Sequence, residues 1–153
     1  MTIKAVTGFR VWQWLTAMLV MLSLSGCGLQ LISTYDERSV EQMERLSMAV
    51  ERFYTTLDYS AAKERTYKKY KSAYIDIHVR LQILLASQQA RPLNELTVKQ
   101  VKIFESLWQE DEASHKKNDT ISNFIIERRQ QQYRRIFQAM ITGEESKAKP
   151  GVN

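Results

Sequence analysis

Between Leu29 and Thr142 the chain contains no glycine and a single proline, Pro92. Its glycines are confined to Gly8, Gly26, Gly28, Gly143 and Gly151, and its other proline is Pro150. Tight hairpin turns need residues that tolerate positive φ, so a stretch this long without glycine argues against a β-rich fold and for long helices. With 44% apolar and 25% charged residues over 153 positions, the chain has the make-up of one folded domain, which excludes a disordered or collagen-like polymer. A single cysteine, Cys27, excludes an internal disulfide and any cysteine-built metal site.

The apolar residues recur at helical spacing in four places. Met43, Leu46, Val50, Phe53 and Leu57 alternate steps of three and four, which predicts a first helix over 34–57. Tyr67, Tyr70, Tyr74, Ile77, Leu81 and Leu84 continue that rhythm and predict a second over 61–89, closing near Arg91-Pro92. The third is expected to open at Thr97, with Gln100 completing a capping box and Leu96 stapled onto Val101. It then carries Val101, Phe104 and Trp108 inward and ends near Lys117, before a turn at Asn118-Asp119. The fourth is predicted over 120–142 with Ile121, Ile125, Tyr133, Ile136 and Met140 inward, Gly143 terminating it, and 144–153 forming a mobile tail. Short connections between helices of this length predict an all-α fold, an antiparallel up-down-up-down four-helix bundle over 34–143. The competing arrangement is a three-helix array with the first helix standing apart.

The first 26 residues have the parts of an export signal: a basic start with Lys4 and Arg10, an apolar run from Val11 to Leu24, and a small-residue end. The run is shorter than the roughly 20 helical residues needed to cross a bilayer, and Gln13 interrupts its start, so it reads as a cleaved signal. Leu24-Ser25-Gly26-Cys27 resembles the lipobox of bacterial lipoproteins. The resemblance implies a diacylglyceryl group on the Cys27 thiol, cleavage between Gly26 and Cys27 by a peptidase that recognises Leu24, Ser25 and Gly26, and acylation of the new N-terminus. Two or three acyl chains, at about 0.8 kcal/mol per buried CH₂, hold a protein firmly on a membrane. Gly28 stands where lipoproteins retained at the inner membrane of enteric bacteria often carry Asp, which by that family rule implies the periplasmic face of the outer membrane. Residues 27–33 then form the lipidated N-terminus and a short tether. At no more than ~3.5 Å per residue it reaches about 20 Å. Leu31-Ile32-Ser33 followed by Tyr35-Asp36-Glu37 looks like the start of small helical bacterial lipoproteins of uncharacterised role, a likeness that transfers no activity.

Several polar residues fall in apolar positions. Arg129 lies between Ile136 and Met140 on the wheel of the fourth helix, and a hairpin centred near Asn118 brings it within a turn of Asp111 and Trp108; it is expected to pair with Asp111 or to stack on Trp108, or else to snorkel to solvent. Glu112 and His115 make one Glu-x-x-His unit, the ligand spacing of di-iron bundles, but His78 has Ile75 at the matching position, so the second unit is missing and no metal is expected. No Gly-rich phosphate loop, no Gly-x-Ser-x-Gly and no free thiol is present, so no cofactor and no enzymatic activity are expected.

Lys63, Arg65, Lys68, Lys69 and Lys71 crowd the start of the second helix, where they oppose its dipole unless offset, and Arg128, Arg134 and Arg135 occupy the outer side of the fourth. Acidic Glu41, Glu44 and Glu51 of the first helix are one candidate counterpart to the former cluster, and anionic cell-wall polymer or lipid headgroups are another. Without Lys4 and Arg10 the chain holds 20 basic against 17 acidic residues, too mild and dispersed an excess to imply nucleic acid. Ile75, Val79 and Ile83 form a second apolar line away from the main seam of the second helix. The line marks either the most enclosed helix of the bundle, which the pattern favours, or a surface for a partner or a second copy of the chain. The sequence therefore reads as a membrane-anchored envelope lipoprotein with a structural or protein-binding role, bound to lipid through Cys27 and to an envelope protein. The alternative is an accessory or chaperone-like subunit of a secretion, conjugation or phage-related system.

Overall fold

The computed structural model describes Trp14 and residues 31–148. The chain divides into two compact units, Met1–Gln30 and Leu31–Asn153. Leu24, Ser25, Gly26 and Cys27 lie outside the described residues, as do positions 149–153 of the expected tail.

In the second unit four helices follow in order: α1 (Glu37–Asp58), α2 (Tyr67–Gln89), α3 (Glu95–Asn118) and α4 (Asn123–Ser146), with a single 3₁₀ turn at Ala62–Glu64. Helix α1 packs on α2 and α4, and α3 packs on the same two, so the four close into an up-down-up-down bundle that includes α1. Among the described residues there is no strand, and no helix is long and apolar enough to cross a membrane. The seams of the first three helices lie inside as their spacing predicts: Met43, Leu46, Val50, Phe53 and Leu57 on α1, Tyr70, Tyr74, Ile77, Leu81 and Leu84 on α2, and Val101, Phe104 and Trp108 on α3 are all buried. Each such side chain contributes roughly 1.5–3 kcal/mol by leaving water. Tyr67 packs only partly against this core.

Helix ends depart from the sequence pattern, and each departure has a local cause. Asp36 caps α1, its Oδ2 accepting from the Ser39 backbone N–H at 3.2 Å and from Ser39 Oγ at 2.6 Å. Helix α2 begins at Tyr67 rather than at 61, because the chain first turns through Ala62–Glu64 and then folds the Arg65 side chain inward. The first N–H of α2 is taken by the α3–α4 corner, where Asp119 Oδ1 accepts from Tyr67 N at 2.8 Å. That carboxylate lies where the lysines of the first turns would otherwise meet an uncompensated dipole. Helix α3 opens at Glu95 with Asn94 in the cap position, three residues before the predicted cap, so Thr97 is not its cap and Leu96 is exposed rather than stapled. The Thr97 hydroxyl instead accepts from Lys147 Nζ at 3.3 Å. Among the described residues the positive φ angles fall at Leu93 (φ 56°) and Asp119 (φ 51°), and Gly143 is helical.

Helix α4 is the least faithful to its predicted face. Ile126 and Phe137 are buried, while Ile125 is exposed and Ile136 packs only partly on the core. Gly143 does not end the helix, which continues through Ser146. Glu144 and Lys147, read as the start of a mobile tail, are buried. At the other end of the chain Ser33, expected in the tether, is buried as well and donates its N–H to Leu93 O at 2.8 Å.

Since Gly143 sits in helical backbone and a Cβ there would meet nothing within 4 Å, Gly143→Ala is expected to stabilise the bundle by up to ~1 kcal/mol. Chemical denaturation followed by circular dichroism measures it, and a loss of stability would restore Gly143 as a helix terminator.

Candidate functional site

Three polar assemblies and one apolar line stand out from the bundle. The first is built on Asp111, which the α3 seam carries inward one turn after Trp108. Its Oδ2 accepts from Tyr54 Oη of α1 at 2.8 Å and from Tyr133 Oη of α4 at 2.6 Å. Its Oδ1 accepts from Arg129 Nε of α4 at 2.7 Å, the ion pair that the hairpin geometry predicts; the guanidinium does not stack on Trp108 but reaches on to Gln132 Oε1 at 2.7 Å. Burial pushes the Asp111 carboxyl above its ordinary range, although the hydrogen bonds of Tyr133 and Tyr54 and the charge of Arg129 oppose the shift. Burial also drives the Tyr54 phenol far up, with Tyr133 and Asp111 adding to it. Around this centre Phe53, Tyr54, Tyr74, Phe104, Trp108 and Tyr133 meet with ring centroids 4.7 to 6.3 Å apart, mostly edge to face. The Trp108 indole N–H is the one buried side-chain polar atom among the described residues without a hydrogen-bond partner.

The second assembly closes the end of the bundle where α1 turns into α2. His115 Nε2 lies 2.9 Å from Arg65 O, an acceptor only, so Nε2 carries a proton there; Nδ1 lies 3.2 Å from Tyr74 Oη. Both ring nitrogens are thus taken up inside the protein. Glu112, the other half of the Glu-x-x-His unit, accepts from Tyr67 Oη at 2.8 Å. No group of three or more His, Cys, Asp or Glu among the described residues is arranged to hold a metal ion. The buried Arg65 side chain bonds four acceptors on two connections: the carbonyls of Ser60 (3.0 Å), Asp58 (3.3 Å) and Ile121 (3.2 Å), and Asn123 Oδ1. A buried cation that terminates helices in this way has no periodicity to announce it.

The third assembly closes the opposite end. Lys147 Nζ donates to Glu144 Oε2 (2.6 Å), Ser33 Oγ (2.8 Å), Asn94 Oδ1 (3.0 Å) and Thr97 Oγ1. Arg91 pairs with Glu144 Oε1 at 2.7 Å and also binds Ser39 Oγ, Gln88 Oε1 and the Thr34 carbonyl. Burial raises the Glu144 carboxyl, but the hydrogen bonds and charges of Arg91 and Lys147 outweigh it and hold the group below its ordinary value of 4.5.

On the surface, the second apolar line of α2 is not enclosed. Ile75, Val79 and Ile83 are 52%, 51% and 56% exposed, opposite the face that carries Tyr70, Ile77 and Leu81 inward, so the reading of α2 as the most enclosed helix is overturned. The bundle is a single ring of four helices, and among the described residues nothing lies outside α2 to cover that face. An open groove of about 310 Å³ runs beside it between α1 and α2, lined by the buried Phe53 and Ile77 and by the exposed Met48, Arg45 and Arg80, with Arg52. Arg45 is held by Glu41 and Arg80 by Asp76, each at helical spacing. On the outer side of α4, Arg134 pairs with Glu51 of α1, so the acidic first helix meets the basic fourth helix and not the lysines of the second. A smaller cavity of about 260 Å³ touches Tyr54, Asp111 and His115, whose polar atoms are those already bonded above.

Compared with known proteins, the chain matches no family model, no curated protein and no solved structure.

The buried ions can be probed by substitution and by pH. Asp111→Ala strands Arg129 and two buried phenols, so a loss of ~3–5 kcal/mol is expected in urea unfolding, and Asp111→Leu combined with Arg129→Leu should cost less than Asp111→Ala alone. For Glu144 the folded pKa lies below the unfolded one, so its stabilisation is complete above the unfolded value and is lost as pH falls through the folded value. The Tm difference between the parent and Glu144→Gln is expected to be largest at neutral pH and to shrink below about pH 4.5; a difference that grew on acidification would contradict this assignment.

Proposed function

We propose that this chain is a lipid-anchored protein of the bacterial cell envelope, held at the periplasmic face of the outer membrane, with a structural or protein-binding role and no catalytic one. The observation that carries the reading is Leu24-Ser25-Gly26-Cys27 at the end of a basic-then-apolar leader, with the only cysteine of the chain in the acylated position and Gly28 after it.

Two features of the bundle support it. The buried Asp111, His115 and Glu144 have their polar atoms engaged by neighbouring side chains or backbone, including Asp111 and His115 where they touch the smaller cavity. Ser33 is fastened to Leu93 and Asn94, and the sequence sets five residues, 28–32, between it and Cys27. At ~3.5 Å each they extend no more than about 20 Å. In this reading the bundle end with Ser33, Arg91 and Lys147 lies nearest the lipid surface, and α2 presents its outer face to other envelope components alongside.

Metabolic labelling in a bacterial host tests the anchor. Radioactive palmitate is expected in the parent protein and absent from Cys27→Ser, and globomycin, which blocks the lipoprotein peptidase, should accumulate a heavier precursor. An unlabelled parent of unshifted mass would defeat the proposal.

A further inference from the structure

The outer face of α2 reads the same in both directions along the helix. Counting outward from Val79, Ile75 and Ile83 stand four positions away on either side, and the small residues Ser72 and Ala86 seven away. All five are exposed, and all share the stripe opposite the core-facing side of the helix. The face thus reads small, Ile, Val, Ile, small in either direction. An isologous contact between two copies demands this property, since residue i must meet j and j must meet i about a two-fold axis.

The charges beside the stripe fit one orientation. Asp76 and Arg80 lie on the same flank of the stripe, one turn apart, and at present bond each other at 2.8 Å. In an antiparallel pair centred near Val79 equivalent flanks lie side by side, so each Arg80 comes level with the Asp76 of the second copy. The other flank carries His78 and Gln82, the latter donating to Glu105 of α3 at 2.6 Å, so among α2's own residues there no pair of like charges is forced together. Lys68, Lys69 and Lys71 crowd the first turns of α2. Antiparallel docking puts these lysines at opposite ends of the contact, whereas parallel docking would set them against each other.

We propose that the occupant of this face is a second copy of the same chain, docked antiparallel with Ile75 against Ile83, Val79 against Val79, and Asp76 against Arg80 across the two-fold axis. One helix face per protomer is a small contact beside the about 800 Å² per partner of a standard stable interface, so association is reversible and concentration-dependent. The inference does not rest on lipidation of Cys27.

The test is sedimentation of the full chain in detergent, with circular dichroism as a check on folding. The parent is expected to rise from monomer mass toward dimer mass with concentration, and Val79→Asp to stay monomeric at every concentration with unchanged helicity. Asp76→Arg places two positive residues on the flank, and Arg80→Asp two negative ones, so each variant alone should associate at least tenfold more weakly than the parent. An equimolar mixture of the two should recover dimer mass. Between unlike copies the introduced arginine meets the introduced aspartate, and the native Arg80 of one copy meets the native Asp76 of the other; intrahelical effects cannot produce that recovery. A monomeric parent, a Val79→Asp variant that associates like the parent, or a mixture that fails to recover would each overturn the proposal. A different protein crosslinked at residue 79 in cells, with the parent monomeric, would give the face to that protein instead.

Discussion

One carboxylate, Asp111, fastens three helices by accepting from Tyr54 on α1 and from Tyr133 and Arg129 on α4. An isolated charge in such a place would cost several kcal/mol, so the surrounding core must supply donors at fixed positions. That requirement sets the depth and rotation of α4 against α3: Tyr133 and Arg129 lie one turn apart on α4, and both must reach the same carboxylate. It also accounts for the shift of the α4 interior to Ile126, Tyr133, Phe137 and Met140, while Ile125 lies outside. The aromatic cluster fills the space that remains, and among the described residues the Trp108 N–H is the buried side-chain polar group that goes without a partner.

Both ends of the bundle are closed by buried cations rather than by apolar plugs. Arg65 collects carbonyls from the ends of α1 and of the α3–α4 connection, and Arg91 with Lys147 collects groups from five segments around Glu144. Helix termini leave unpaired backbone groups that must be satisfied. With no glycine available for the usual C-terminal motif between Leu29 and Thr142, Arg65 takes the Asp58 carbonyl at the end of α1, Asn94 Nδ2 donates to the Gln88 carbonyl near the end of α2, and Leu93 and Asp119 adopt left-handed backbone. A cluster that draws Ser33, Asn94 and Lys147 together also binds the first and last described segments of the domain to each other. Stability is therefore expected to be spread along the whole length of the bundle rather than confined to its middle.

With its buried acids engaged and the Trp108 N–H the one buried side-chain polar atom without a partner among the described residues, the domain presents its most distinctive chemistry on the outside. The stripe of α2 is apolar where a helix facing water is usually polar, and the rims beside it hold their charges in helical pairs that a docking partner is able to exchange. With the proposed anchor, the proposed self-complementary face would gain from confinement, since restriction to a surface raises the effective concentration of partners that bind weakly in bulk. The lipid anchor and the paired helix are separate proposals, and together they describe a small module suited to holding positions at a membrane rather than to transforming a substrate.

The periodic part of this fold was legible in the sequence. Steps of three and four placed the seams of α1, α2 and α3, and the absence of glycine set the helical class, because both depend on backbone geometry within a few turns. The Arg129–Asp111 pair could be read too, since a short hairpin fixes which turns of α3 and α4 face each other. Tyr54 as the second donor, the burial of Arg65 and the cluster around Glu144 and Lys147 could not, because Asp111 for Tyr54, Ile121 and Asn123 for Arg65, and Ser33, Arg91 and Asn94 for the Glu144–Lys147 pair lie 50 or more positions away along the chain and local spacing carries no information about them. Nor could the sequence say which apolar face of α2 turns outward, since both have helical spacing. The sequence alone determined that the chain is helical and where most of its apolar seams run; only the tertiary structure decided which polar groups are buried together, where the helices stop and which face is left to solvent, because those outcomes depend on which distant segments come within hydrogen-bond distance.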